Sequence, residues 1–321
     1  MNTFKEENPI MYRIDQMRKN WEDHVCDNTQ LVRWVLLKDE VRMLKAFSLL
    51  EASEYGQIPD FFINFDVPFS SVERYGYDLL TSWLEIWNNP DARAEVADAN
   101  VLPDWDDTPY QDAEVKGSET TFLHAMSSFA KSISANQQLV LNVVPAGYKG
   151  APAFTEWILK CLETFPENLR LMVFDLKEAP KFHEVPMHFK VCTLVADLNM
   201  HEATKEIIQQ GDMNDPSAGV NLCLLNIAEA TNEKDEEKIH HWGKEGLEIA
   251  EKTGLKSIVA TVYLAYGAAF YQLKKTDRAM DLFKAAEEQA IQGNREEDIA
   301  VAAILLQAYN FQAAVCLYGK K

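Results

Sequence analysis

The chain has 321 residues, of which 47% are apolar, and its formal net charge at pH 7 is −19. This length predicts about two domains, and the apolar fraction is enough for a buried core in each. The acidic balance disfavours nucleic acid as a partner, because a phosphate backbone repels such a chain unless a local basic patch is present, and the Lys and Arg residues are scattered. A basic partner fits the charge, but solubility alone explains it more simply.

The sequence shows no sign of export or membrane insertion. No apolar run reaches the length of about 18 residues that a membrane-spanning helix needs. The first ten residues contain two acids and no apolar segment, which is unlike a secretory signal. The cysteines are odd in number, far apart and without a CxxC pair, so we expect free thiols in a cytoplasmic protein. They are Cys26, Cys161, Cys192, Cys223 and Cys316.

Helical and strand patterns alternate in the first half of the chain. A helical period runs from Leu31 to Ala52, although its first residues, L-V-R-W-V-L-L, also fit a short strand. Phe61–Phe69 reads as a strand, and Ser70-Ser71 can cap a helix over Val72–Trp87. Residues 91–118 are acidic and rich in turn residues, which predicts an exposed insertion or a mobile loop.

A second set of patterns predicts a parallel sheet. Helical periods over Thr120–Ser134 and Pro152–Phe165 alternate with apolar strands over Leu139–Val144 and Leu169–Phe174. Such alternation is typical of β-α-β connections with helices on both faces of the sheet. We find no strand pattern after Pro186 and place the domain boundary near residue 185. The predicted fold is an α/β domain over 1–185, followed by an all-α domain over 186–321 with helix breaks at 211–216, 231–235, 254, 274–277 and 293–294.

One stretch of the helical part, residues 263–286, carries a repeat pattern. Small residues stand at Gly267, Ala279 and Ala286, and aromatic residues at Phe270 and Phe283. This pattern resembles a tetratricopeptide repeat, in which small residues let two antiparallel helices approach and aromatic residues fill the groove beside them. The resemblance implies a solenoid of helix hairpins that binds proteins.

The neighbouring repeats match less well. Upstream, Gly243, Leu247 and Ala250 align with Ala279, Phe283 and Ala286 at an offset of 36 residues. Downstream, a helix enters a turn at Gly319-Lys320, so we expect either a lone capping helix or, by a slight preference, a fragment of a longer array.

The resemblance also implies a binding groove, formed by the first helix of each hairpin. Its lining positions are apolar or aromatic, so the groove is suited to an apolar or amphipathic protein segment. The alternative is that the chain's own α/β domain or further repeats fill it, since an exposed apolar patch needs some cover. The predicted groove residues are Thr261, Leu264, Ala268, Tyr271, Leu306, Tyr309 and Ala313.

Catalytic and metal-binding motifs are missing from the sequence. Residues 147–150, G-Y-K-G, follow a strand and open a helix, but they lack the Lys-Ser/Thr pair of a phosphate loop, so a plain turn is the better interpretation. His183 and His188 are poorly spaced for a metal, and the adjacent His240 and His241 point to different faces of a helix. The acids near Asp104 lack the glycine and glutamate of a calcium loop.

The order of elements over about residues 30–180, followed by helical repeats, resembles signalling NTPases that join a P-loop core to a repeat array. Leu169–Glu178 has the form of a strand that ends in a magnesium-binding acid, yet no nucleotide-binding motif is intact. The resemblance therefore implies at most a degenerate nucleotide-binding domain.

We predict a non-catalytic cytoplasmic adaptor or scaffold without a cofactor, metal, membrane or nucleic-acid ligand. The alternatives are a fragment of a signalling NTPase and a structural subunit of a large assembly. The sequence leaves the partner and the oligomeric state open.

Overall fold

The computed structural model describes residues 8–91, 93, 104–133, 137–143, 151–182, 185, 190–210, 215–295 and 300–318. The chain divides into two compact units, Met1–Met200 and His201–Lys321. The first is an α/β unit and the second is an array of helices, as the sequence predicts. No helix in these ranges is long and apolar enough to cross a membrane.

The α/β unit contains five parallel strands in the order β2-β3-β4-β1-β5. The strands are β1 (Leu31–Leu36), β2 (Phe61–Phe65), β3 (Leu139–Val143), β4 (Leu169–Leu176) and β5 (Val191–Val195). The helices are α1 (Pro9–His24), α2 (Val41–Glu51), α3 (Tyr75–Asn88), α4 (Ser118–Ile133) and α5 (Ala151–Glu163), with a short 3-10 turn at Thr108–Tyr110.

Side chains along each strand alternate between two cores, one on each face of the sheet. In β4, Leu171 and Val173 belong to one core, and Met172 belongs to the other. Helices α3, α4 and α5 cover the first face, and α1 and α2 cover the second. Because both faces are covered, the strands are apolar in succession, and this is why the sequence predicts a parallel sheet.

Three details of the α/β prediction need correction. Leu31–Leu36 is a strand, so the alternative interpretation of L-V-R-W-V-L-L is right and the helix begins only at Val41. Helix α1 shows no strong signal in the sequence, since its buried face includes Arg13 and Arg18. Strand β5 lies beyond the boundary predicted near residue 185 and pairs with β1, so the α/β unit extends to Met200.

The acidic segment 91–118 is less exposed than predicted in its described part. Trp105 is only 5% exposed, and its ring lies 5.3 Å from that of Trp87 and 5.5 Å from that of Phe129. Its indole nitrogen donates a hydrogen bond to the Ser128 hydroxyl at 3.2 Å. One aromatic side chain therefore ties the segment to the core, while the acids remain in turns, as Asp106 does by accepting from the Thr108 N–H.

The described residues of the second unit form six helices. They are α6 (Met200–Gln210), which begins at the boundary, α7 (Pro216–Glu233), α8 (Glu236–Lys252), α9 (Lys256–Gln272), α10 (Thr276–Arg295) and α11 (Val301–Tyr318). Helix α9 packs against α7, α8, α10 and α11. The breaks predicted at 231–235, 254 and 274–277 are confirmed to within a few residues, whereas α10 continues through 293–294 to Arg295. The break predicted at 211–216 lies mostly outside the described residues.

Two turns of the array have the same backbone structure. Lys234 between α7 and α8 and Lys274 between α9 and α10 adopt positive φ angles of 58° and 60°. In each turn, the N–H of the lysine and of the next residue donate back to carbonyl oxygens in the last turn of the preceding helix. The α7–α8 and α9–α10 hairpins are therefore equivalent, at an offset of 40 residues.

This offset corrects the predicted value of 36. The buried positions of the second helices agree at 40, since Ile239, Gly243, Gly246 and Ala250 correspond to Ala279, Phe283, Ala286 and Ala290. The two offsets differ by about one helical turn of 3.6 residues, so both place apolar residues on the same face. The pattern of apolar side chains alone therefore cannot distinguish an offset of 36 residues from one of 40.

The close helix contact predicted at Gly267 is present. A Cβ at this position would lie 2.7 Å from a ring carbon of Phe283. Phe270, Ala279, Phe283 and Ala286 are fully buried around the contact. The hairpin thus has the packing that the sequence pattern implies, whereas membership of the tetratricopeptide family stays a prediction.

The contact between α3 and α4 offers a test of the α/β fold. A Cβ on Gly76 would lie 2.6 Å from backbone atoms of Ser118 and Glu119, which cannot move as a side chain can. We expect Gly76→Ala to lower the free energy of unfolding by about 1–3 kcal/mol, despite the better helix propensity of alanine. Urea denaturation followed by tryptophan fluorescence measures this change.

The matched control is Gly219→Ala in α7, where the new Cβ would meet only the flexible end of Ile249 at 3.3 Å. Circular dichroism reports unfolding of the helices, and the free energy of unfolding of this variant should change by less than about 1 kcal/mol. Equal stability of Gly76→Ala and the unmodified chain would contradict the close contact.

Candidate functional site

The predicted groove residues lie on two helices of the array, and each set forms one stripe. Thr261, Leu264, Ala268 and Tyr271 recur at intervals of three and four residues on α9. Leu306, Tyr309 and Ala313 do the same on α11. This spacing places the members of each set on one helix face.

The α9 stripe is largely covered by the packing of the array. Leu264 is 5% exposed and belongs to a core that also contains Ala308 and Val315 of α11. Ala268 and Tyr271 are half-buried and pack against the same core. Leu264 is therefore a core residue rather than a lining residue of an open groove, because α11 lies against α9.

The α11 stripe is open. Leu306 is 62% exposed, Tyr309 is 47% exposed, and Ala313 is also exposed. Leu317, one helical turn beyond Ala313, extends the stripe and is 70% exposed. We call these four residues the α11 face. The repeat pattern does not include Leu317, but its spacing of four residues from Ala313 places it on the same helix face.

The opposite side of α11 holds it in place. Phe311 stacks on Phe283 with ring centroids 4.8 Å apart, and the Gln312 amide donates to Glu287 at 2.7 Å. Partial burial and the Glu287 carboxylate both raise the pKa of Tyr309. The Tyr309 hydroxyl thus stays protonated near Glu287, while about half of its side chain faces outward.

The second candidate region is the carboxyl edge of the parallel sheet. The chain leaves β1 towards β2 at one edge of the sheet, and it leaves β4 towards β5 at the other edge. Where the connections from two neighbouring strands run in opposite directions, a crevice forms at the carboxyl ends of those strands, and α/β proteins most often bind ligands there. In this chain the crevice lies at the ends of β1 and β4.

Two buried carboxylates lie near the carboxyl ends of the strands. Glu40, at the N-terminal end of α2, accepts hydrogen bonds from the N–H groups of Leu37 at 2.8 Å and Leu198 at 2.5 Å. Asp175, at the end of β4, accepts from the N–H groups of Lys181 and Phe182. It also lies 3.4 Å from the Arg33 guanidinium.

A carboxylate at the N-terminal end of α2 disfavours an anionic ligand there. A phosphate group binds to free N–H groups at a helix N-terminus. Here a negative charge already lies at that end of α2, and internal carboxylates engage nearby backbone donors. Residues 147–150, the sequence's other candidate for an anion loop, lie outside the described residues.

The histidines do not form a metal site in the part of the chain that is described. His240 contacts the Tyr266 hydroxyl and Arg278, and burial followed by the charge of Lys244 lowers its pKa. His241 is exposed and lies 3.3 Å from Glu245, so the two neighbours do point to different faces. No group of three or more metal-binding side chains occurs among the described residues, which do not include His183 and His188.

The buried role of Glu40 can be tested by Glu40→Gln. The amide keeps one acceptor oxygen but turns an NH2 group towards a backbone N–H, and the loss of a charge-assisted hydrogen bond costs about 1–3 kcal/mol. We expect the α/β unit to lose this much stability in urea denaturation. Tryptophan fluorescence reports on this unit, because every tryptophan except Trp242 belongs to it.

Asp39→Asn is the matched control, since Asp39 is the exposed neighbour in the same loop. This variant should change the free energy of unfolding by less than about 0.5 kcal/mol. If Glu40→Gln and Asp39→Asn change the free energy of unfolding by the same amount, the Glu40 carboxylate does not stabilise the α/β unit.

No protein family matches the chain, and no curated protein sequence matches it.

Proposed function

We propose that this chain is a non-catalytic adaptor or scaffold, whose helical unit binds an apolar or amphipathic segment of a partner protein through the α11 face. The observation that carries the proposal is the composition of α11. Its 18 residues, V-A-A-I-L-L-Q-A-Y-N-F-Q-A-A-V-C-L-Y, include no charged residue, although one side of the helix is exposed.

An uncharged helix of this kind is usually covered on all sides. Helices that are apolar all round belong to protein interiors, whereas surface helices carry charges on their outer face. Covering a leucine or a comparable side chain contributes about 1.5–3 kcal/mol relative to full exposure. Because Leu306 and Leu317 are largely exposed, a partner that covers them would provide most of this free energy, and covering Tyr309 would provide part of it.

The spacing of the α11 face suits a helical ligand. Leu306, Tyr309, Ala313 and Leu317 follow the intervals by which two helices pack along one stripe. An amphipathic helix with apolar residues at i, i+3 or i+4, and i+7 would fit this stripe. The resemblance to tetratricopeptide repeats supports the same class of function, since such repeats bind proteins.

Two alternatives share this surface or this fold. Further repeats of a longer chain or a permanent assembly partner would cover the α11 face in the same way. A signalling NTPase with a degenerate nucleotide-binding domain would keep the parallel sheet, but the carboxylates of Glu40 and Asp175 disfavour a phosphate ligand in its crevice.

The binding proposal is tested by Leu306→Glu combined with Tyr309→Ala. Both side chains are exposed enough that the folded state should survive, with a stability change within about 1 kcal/mol. A charge in the apolar face and the loss of an aromatic anchor should weaken a partner's binding at least about tenfold. Affinity capture with quantitative mass spectrometry identifies the partner, and calorimetry with its purified binding segment measures the change.

The control is Leu49→Glu, which places the same charge at a leucine that is 53% exposed in the α/β unit. This variant should retain the partner. The proposal is wrong if the folded double variant binds as tightly as the unmodified chain. If light scattering shows that the purified unmodified chain already forms a stable complex, and the double variant does not form it, the α11 face belongs to a permanent assembly.

A separate titration tests the nucleotide alternative. We expect no saturable heat when ATP or GTP with Mg²⁺ is added to about 1 mM, because the Glu40 carboxylate lies at the N-terminal end of α2, where a phosphate would bind. Tight, magnesium-dependent binding would support the NTPase alternative instead.

A further inference from the structure

Two of the five cysteine thiols lie against one backbone oxygen of the α/β unit. The sulfur of Cys26 is 3.7 Å from the carbonyl oxygen of His24, and the sulfur of Cys192 is 3.5 Å from the same oxygen. The two sulfur atoms therefore cannot be farther apart than the sum of these distances. Both cysteines are free thiols in this structure.

Parallel pairing of β1 with β5 brings these residues together. Cys26 lies in a turn just before β1, which the Thr29 N–H closes by donating to the Cys26 carbonyl oxygen at 2.9 Å. Cys192 lies near the start of β5 and is paired with Val32 of β1. Parallel strands begin at the same edge of a sheet, so the turn before β1 lies beside the first residues of β5.

The two thiols differ in access to solvent. Cys26 is exposed, whereas Cys192 is partly buried. Burial, and then the neighbouring Cys26, raise the pKa of Cys192, so its reactive thiolate form is scarce at neutral pH. Cys26 is therefore the thiol that an oxidant in solution reaches first.

We propose that Cys26 and Cys192 form a reversible intramolecular disulfide when the protein reacts with a hydroperoxide. The Cys26 thiolate attacks one peroxide oxygen, the O–O bond breaks, and the products are a sulfenic acid on Cys26 and one water after protonation. The Cys192 sulfur then attacks the Cys26 sulfur, the S–O bond breaks, and the leaving hydroxide takes up the Cys192 proton as a second water.

The step is balanced: the two thiols lose two hydrogens and two electrons, and one hydrogen peroxide becomes two waters. The new bond links the turn after α1 to β5, at the edge of the sheet. It also closes a long loop in the unfolded chain, which lowers the entropy of that state and stabilises the fold. In a reducing compartment such a bond is a transient, redox-sensing one.

The test uses the full chain with Cys316→Ser, because Cys316 is the other exposed thiol and could link two copies. The protein is treated with hydrogen peroxide, remaining thiols are alkylated, and peptides are analysed by mass spectrometry without reduction. We expect one linked peptide pair containing Cys26 and Cys192. The thermal midpoint should rise by at least about 5 °C and return to its starting value with dithiothreitol.

Cys26→Ser and Cys192→Ser, each made in the same background, are the controls. Serine keeps a donor for the His24 carbonyl oxygen, so both variants should fold but give no linked peptide and no peroxide-dependent rise in the midpoint. The proposal is overturned if peroxide leaves both thiols open to alkylation. It is also overturned if Cys26 is overoxidised while Cys192 stays free, or if either variant still shows the peroxide-dependent rise.

Discussion

The α/β unit depends on β1, which is paired on both sides and buried on both faces. Leu31, Val32 and Trp34 are fully buried, and the strand joins β4 on one side to β5 on the other. The chain runs from β1 to β2 at one edge of the sheet and from the neighbouring β4 to β5 at the other edge, so these two connections run in opposite directions. The crevice at its carboxyl end and the thiol pair at its amino end both follow from this one placement.

The two ends of β1 have different chemistry. At the carboxyl end, the buried carboxylates of Glu40 and Asp175 accept hydrogen bonds from backbone N–H groups. At the amino end, two thiols lie against a single carbonyl oxygen, where only weak hydrogen bonds hold them. The carboxylates therefore have a structural role, whereas the two thiols are still able to react.

The helical unit follows a different constraint, the close contact of paired helices. Gly267 allows Phe283 to approach the backbone of α9, and equivalent turns at Lys234 and Lys274 repeat the hairpin along the array. In the described part of this unit, α11 packs against α9 and α10 on one side and keeps an exposed face on the other. In this chain that face carries Leu306, Tyr309 and Leu317, and its chemistry is apolar.

The sequence alone determined the sheet strands β2, β3 and β4, the helix breaks near 231–235, 254 and 274–277, and the hairpin at Gly267, because burial and turn residues leave periodic, local patterns. It did not determine β5, because this short edge strand has an apolar run that is interrupted by Thr193. It did not determine the repeat offset either, since offsets of 36 and 40 residues place the same residues on one helix face. Only the tertiary structure decided that Leu264 is covered while Leu306 is open, and that Glu40 accepts a hydrogen bond from the Leu198 N–H. It also decided that Cys26 lies beside Cys192, because these contacts join residues far apart in the chain, and such distances leave no local pattern.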